Sequence, residues 1–194
     1  MELKIKVTGQ EKLEKKLNIL PGVTHRKLAS ELKKTLSGAV GYVIRNHLTG
    51  GTTRTRLGVR TGNLRRSIQY RVNENALSGE FGSYNTTYAM IHEKGGTLTA
   101  KRGQFLAIPI SPEAKTKAGV FKSPRTFKNT FVKESRNGNK IIFQKKGKNI
   151  IPLFVLKRSV KIPARPFIKP TAEKYIIPQY SKKINEVLQQ WQQA

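Results

Sequence analysis

Apolar residues alternate at the start of the chain, with Leu3, Ile5 and Val7 on one side and lysines on the other. That period marks a half-buried strand, ended by Thr8 and Gly9. Leu13, Leu17 and Leu20 then recur at helical spacing, which predicts a short amphipathic helix over Gln10 to Leu20, broken by Pro21 and Gly22. A longer helix is predicted over Val23 to His47. Leu28, Leu32, Leu36, Val40, Val43 and Ile44 form its apolar stripe, while Lys27, Lys33, Lys34 and Arg45 lie largely off it, and Gly50 and Gly51 follow its end.

Periodicity then lapses. Thr49 to Gly62 reads as a loop, and Thr61 to Ser67 as one helical turn capped by Thr61. Ile68, Tyr70 and Val72 alternate as a strand, Asn73 to Asn75 turn, and Ala76 to Tyr84 return. Tyr88 to Glu93 reads as a short helix stopped by Gly95 and Gly96, and Phe105 to Ile110 as a strand. Ser111 to Lys128 is rich in Lys, Pro and Ser, as an inserted loop would be. Thr130 to Glu134 and Lys140 to Gln144 flank Asn137-Gly138, a strong hairpin signal. Ile150 to Leu156 and Val160 to Ile162 continue the sheet. A last helical block runs from about Phe167 to Gln192, with Pro178 expected to kink or split it. These elements predict an α+β fold: an antiparallel sheet packed by a long helix in the N-terminal half and a C-terminal helix. The expectation is one domain over 1–194 with a basic insertion at about 111–149.

Charge changes the picture more than composition does. The chain has 194 residues, with 38 Lys and Arg against 11 acids, for a net charge of +27. All 11 acids are glutamates; aspartate is absent. A chain this basic repels itself unless counter-charge is near, so a polyanion or an acidic surface is the expected neighbour. The densest candidate contact is Arg54, Arg56, Arg60, Arg65 and Arg66, in a stretch with no acid between Glu31 and Glu74. Arginine suits that role because its planar fork matches phosphate and carboxylate. A solvated basic loop is the plain alternative. From Lys115 to Lys148 there are 11 basic residues and one acid, Glu134, as in a docking arm that orders only on contact.

Candidate chemistry is sparse. Without cysteine, disulfides and thiolate metal sites are excluded. The only histidines are His25, His47 and His92. His92-Glu93 begins a zincin-like pattern, but Gly96 stands where a second histidine ligand would be needed. No nucleophile elbow and no phosphate loop with its lysine is present. A ribonuclease using His92 with Glu93 or an arginine is the remaining enzymatic alternative, beside a stand-alone basic nucleic-acid-binding protein. No signal peptide or membrane span is apparent, so a product made in the cytoplasm is expected. No metal, cofactor or enzymatic activity is expected.

Three segments occur in order: Val59 to Ile68 (VRTGNLRRSI), Tyr88 to Gly96 (YAMIHEKGG) and Ile162 to Phe167 (IPARPF). Together they resemble the virion-morphogenesis family of tailed bacteriophages, the neck or tail-completion proteins, in which "TGxLxxSI", "YAxIHExG" and "PARPFL" precede a C-terminal helix. Phe105 to Pro109 (FLAIP) and the basic stretch after it match that layout, and the likeness spans about residues 20 to 190. Ile168 replaces the usual leucine, and the charge exceeds what the family leads one to expect. The resemblance implies a non-enzymatic virion subunit, assembled in the host cytoplasm and resident in the neck. It also implies a homo-oligomeric ring around a DNA channel. Its neighbours would be connector or head-closure proteins and tail-tube or tail-terminator proteins. Gly62, Tyr88, His92, Glu93, Gly95, Pro163, Arg165 and Pro166 are the motif residues. Gly62 permits a tight turn, and Pro163 and Pro166 stiffen the entry to the last helix. Arg165 between them is expected to form an ion pair with Glu93, in the same subunit or across an interface.

Overall fold

The computed structural model describes residues 3–6, 22–50, 56–101 and 103–192. The helix expected over Gln10 to Leu20, the strand's last position at Val7, and Arg54 lie outside these residues. The fold is α+β, as the periodicities predict, but its strands divide among three antiparallel sheets. The chain forms two compact units: residues 1–94 with 164–194, and residues 95–163. The insertion expected at about 111–149 falls inside the second unit.

In the first unit, β1 (Leu3–Lys6), β2 (Ile68–Asn73) and β3 (Ser78–Ser83) pair in the order β1-β3-β2. Helix α1 (Gly22–His47) packs on β2 and β3. Its stripe behaves as read: Leu32, Leu36 and Val43 are buried in the main core, against which Val40 and Ile44 pack partly, and Leu28 is buried in a second cluster with Leu77 and Val187. Gly79 is where β3 meets α1. A Cβ there would stand 2.4 Å from Leu36 Cδ1 and 3.5 Å from the Arg71 carbonyl oxygen, so only glycine lets the strand lie this close. After α1, Gly50 adopts φ 80° and Leu57 N–H donates to the His47 carbonyl at 2.9 Å, which ties the returning chain to the helix end.

Helix α2 (Asn63–Arg66) is the predicted single turn, but its cap differs from the expectation. Gly62, at φ 74°, occupies the N-cap position, and Thr61 Oγ1 accepts from Asn63 N–H only at 3.4 Å. The left-handed backbone that reverses the chain here is open to glycine, and a glycine has no side chain with which to cap. Helix α3 (Ala89–Lys94) ends where Gly95 turns at φ 72°.

The C-terminal block contains α4 (Ile168–Thr171), a π-helical turn (Ala172–Ile176) and α5 (Ile177–Gln192). Pro178 does not split it. The wider π turn immediately precedes the proline, whose missing N–H and ring disfavour a regular bond to the preceding turn. The helix therefore continues, and Phe167, Ile168, Ala172 and Ile176 enter the main core beside Leu36, Ala39 and Val43.

In the second unit, β4 (Gly96–Thr99) pairs with β9 (Ser159–Ile162). The larger sheet has the order β5-β8-β7-β6, from β5 (Leu106–Pro109), β6 (Thr130–Glu134), β7 (Lys140–Lys146) and β8 (Asn149–Lys157). The Asn-Gly hairpin forms, with Gly138 at φ 72° inside a turn closed by Ser135 N–H to the Asn139 carbonyl at 2.8 Å. The basic segment expected to order only on contact therefore has a fold of its own. Residues 111–128 make two short 3₁₀ turns (Pro112–Ala114 and Pro124–Thr126), each opening on a proline. Ala114 and Phe127 from this segment pack with Leu153, Phe154 and Ile142 into a separate small core.

Candidate functional site

Two of the three segments singled out by sequence meet where α3 faces the start of α4. Helix α4 begins without a cap of its own: Phe167 stands at the N-cap position, and its side chain offers no acceptor. Glu93, buried on α3, supplies one from 74 residues away. Its Oε2 accepts from Phe167 N–H at 2.7 Å and from Ile168 N–H at 3.0 Å, and its Oε1 from Lys169 N–H at 2.8 Å. The next residue is Pro170, which has no N–H. One carboxylate and one proline thus account for the unpaired donors at this helix start, and the negative charge sits at the positive end of the helix. Just upstream, Arg165 N–H donates to the His92 carbonyl at 2.7 Å, so two consecutive α3 residues grip residues 165–169.

Within the chain, the expected Glu93–Arg165 ion pair does not form. Both carboxylate oxygens are committed to backbone donors, and no ion pair joins these two side chains. Arg165 lies near His92 instead.

His92 is half-buried, with Tyr88 edge-on at 5.9 Å between ring centroids. Its Nδ1 is buried and has no hydrogen-bond partner. Burial, then the nearby positive charges of Arg165 and Arg60, pull its pKa below the ordinary 6.5. His47 at the end of α1 is also pulled down, by burial, with Glu93 opposing and Lys174 and Arg56 adding to the fall. The unfolded chain therefore takes up these protons before the folded one does. Stability contributed by the neutral imidazoles is fully present above the unfolded value and is lost as pH falls through the folded values. Thermal melts should show a falling midpoint on acidification below about pH 6.5, and His92→Gln should flatten that slope. A slope unchanged in the variant would contradict the assignment.

The described arginines of the cluster have unlike surroundings. Arg54 lies outside the described residues. Arg56 is exposed and contributes to the field at His47. Arg60 contributes to the field at His92, and Arg65 is half-buried. Arg66 folds back on its own turn, donating to the Thr61 carbonyl at 3.0 Å and to Asn63 Oδ1 at 2.6 Å. Gly62 and Gly95 hold the left-handed turns described above. Pro163 and Pro166 are exposed and stand on either side of Ala164 and Arg165. Sequence reading missed Ser67, whose buried hydroxyl donates to the Leu64 carbonyl at 2.8 Å and bonds Ser83 Oγ at 2.7 Å. It also missed the role of Glu93 as a cap. The available signal was a helix start at Phe167 with no Ser, Thr, Asp or Asn to serve it.

Among the described residues, no group of three or more His, Cys, Asp or Glu is placed to hold a metal ion. Nor do His92 and Glu93 form an acid–base pair, because the carboxylate is spent on residues 167–169. Among the described residues, no helix is long and apolar enough to cross a membrane. Comparison with protein-family models, with curated proteins and with solved structures yields no match.

Proposed function

We propose that this chain is a non-enzymatic structural subunit of a tailed-phage virion, a neck or tail-completion protein that joins head and tail around the DNA channel. The observation that supports the reading is the convergence of the three motif segments. Leu64 and Ile68, Ala89 and Met90, and Phe167 and Ile168 pack in one core, closed by the Glu93 cap. The motif polar residues then have an architectural purpose, which is what a family signature without catalysis requires. The charge fits the same role. A ring around DNA needs distributed Lys and Arg rather than base-reading contacts, and +27 supplies them. Arg56, exposed beside the end of α1, faces DNA or an adjacent subunit in this proposal, together with Arg54.

The test is genetic. Removing the coding sequence from the genome that carries it should leave heads and tails that fail to join, with infectious yield reduced by several orders of magnitude. Restoring the wild-type chain should restore joining, while Arg54→Glu with Arg56→Glu should restore it poorly. Joined particles at normal yield in the deletion would refute the proposal.

A further inference from the structure

The four-stranded sheet of the second unit has two unlike faces. Alternate residues share a face. On one, Ile142, Phe154, Pro109 and Ala107 lie toward the cover supplied by Ala114 and Phe127. The other carries Phe131 opposite Phe143, and Ile141, Val155 and Ile108 in register across the remaining strands. None of these five is fully buried, none belongs to a buried core cluster, and Phe131 on the edge strand is 38% exposed. The Phe131 and Phe143 rings stack, 5.7 Å apart and 19° from parallel.

The charge around this face is of one sign. By strand alternation, Lys133, Lys145 and Lys157 share it. The unit has only two acids, and neither falls on this face: Glu134 lies on the opposite one, and Glu113 sits in a 3₁₀ turn, bonded to Ser111. Residues 95–163 hold 16 Lys and Arg against 2 Glu, a net +14 of the chain's +27. A second copy would set lysine against lysine. The occupant must be anionic and must also offer flat apolar surface to the phenyl pair.

We infer that this face is a platform for single-stranded nucleic acid, with bases stacking on Phe131 and Phe143 and phosphates running along Lys133, Lys145 and Lys157. Aromatic rings on an open antiparallel sheet, fringed by cations, provide the two contacts that unpaired strands use, and neither contact depends on base identity. A duplex offers phosphates to the lysines but keeps its base faces stacked internally. The inference does not depend on the virion assignment, which requires only duplex in a channel.

Binding of the full chain to labelled oligothymidylate of about 16 nucleotides should be measured beside an abasic strand of equal length, with duplex DNA and poly-L-glutamate as competitors. The expected result is thymidylate binding about tenfold tighter than the abasic strand, since stacking adds to charge. Phe131→Ala and Phe131→Leu should both shrink that difference by about threefold or more, with far-UV circular dichroism unchanged at this exposed edge. Lys133→Gln with Lys145→Gln should weaken both strands and lower the salt slope by about 1 to 2. Equal affinity for thymidylate and abasic strands would overturn the inference. So would a preference left at full size by Phe131→Ala. Displacement by poly-L-glutamate as effective as by thymidylate would also overturn it, and would mark the face as a seat for an acidic protein.

Discussion

Glu93→Ala should lower stability by about 3 kcal/mol, because a buried carboxylate serving three backbone donors leaves all three unpaired when removed. For a chain of this size, that corresponds to a midpoint about 6–12 °C lower in thermal unfolding. Glu93→Gln should lie between the variant and wild type, since the amide keeps one accepting oxygen but turns an NH₂ group toward an N–H. Arg165→Ala provides the contrast. It keeps the backbone N–H that bonds His92 and breaks no ion pair with Glu93, so its cost should stay below about 1 kcal/mol. Equal losses in Glu93→Ala and Arg165→Ala would contradict the cap and restore the ion pair expected from sequence.

The second large effect is expected in the other unit. Phe154 is 1% exposed, its ring meets Phe127 edge-on at 5.7 Å, and among the described residues only Ala114 and Leu153 are buried in its cluster. A core this small has little material with which to collapse around a cavity. Phe154→Ala should cost about 3–5 kcal/mol. The loss should be local. Hydrogen exchange should show protection lost in β5 to β8, while amides of α1 and the C-terminal helix remain protected. Uniform loss across the chain, or a cost under about 1 kcal/mol, would contradict the separate core.

Local periodicity carried the parts of the fold that local forces decide. The stripe of α1, the Gly62 and Gly95 turns and the Asn137-Gly138 hairpin are all written in spacings of a few residues, and all appear. What sequence left dark depends on partners far along the chain. Residues 111–128 show no period because 3₁₀ turns and proline starts leave none, yet Ala114 and Phe127 reach a core built by β7 and β8. The division into separate sheets follows from β4 finding β9, 60 or more residues later, a pairing that no window detects. Glu93 was legible as a motif residue but not in its role. A charged side chain beside Arg165 in the likeness invites an ion pair, whereas the uncapped start of α4 places a stronger claim on the carboxylate. The arginine cluster shows the converse limit. Five nearby arginines suggest one contact surface, but at Arg66 the guanidinium is already used in stabilising its own turn.

The proposed role, a ring-forming subunit of the head–tail junction, has a direct test. That test is high-resolution electron microscopy of the intact particle produced from the parent genome. Density into which α1, the Glu93-capped C-terminal helix and the four-stranded sheet fit, repeated symmetrically around the channel between connector and tail, is the predicted result. A completed junction containing no copy of this chain would contradict it.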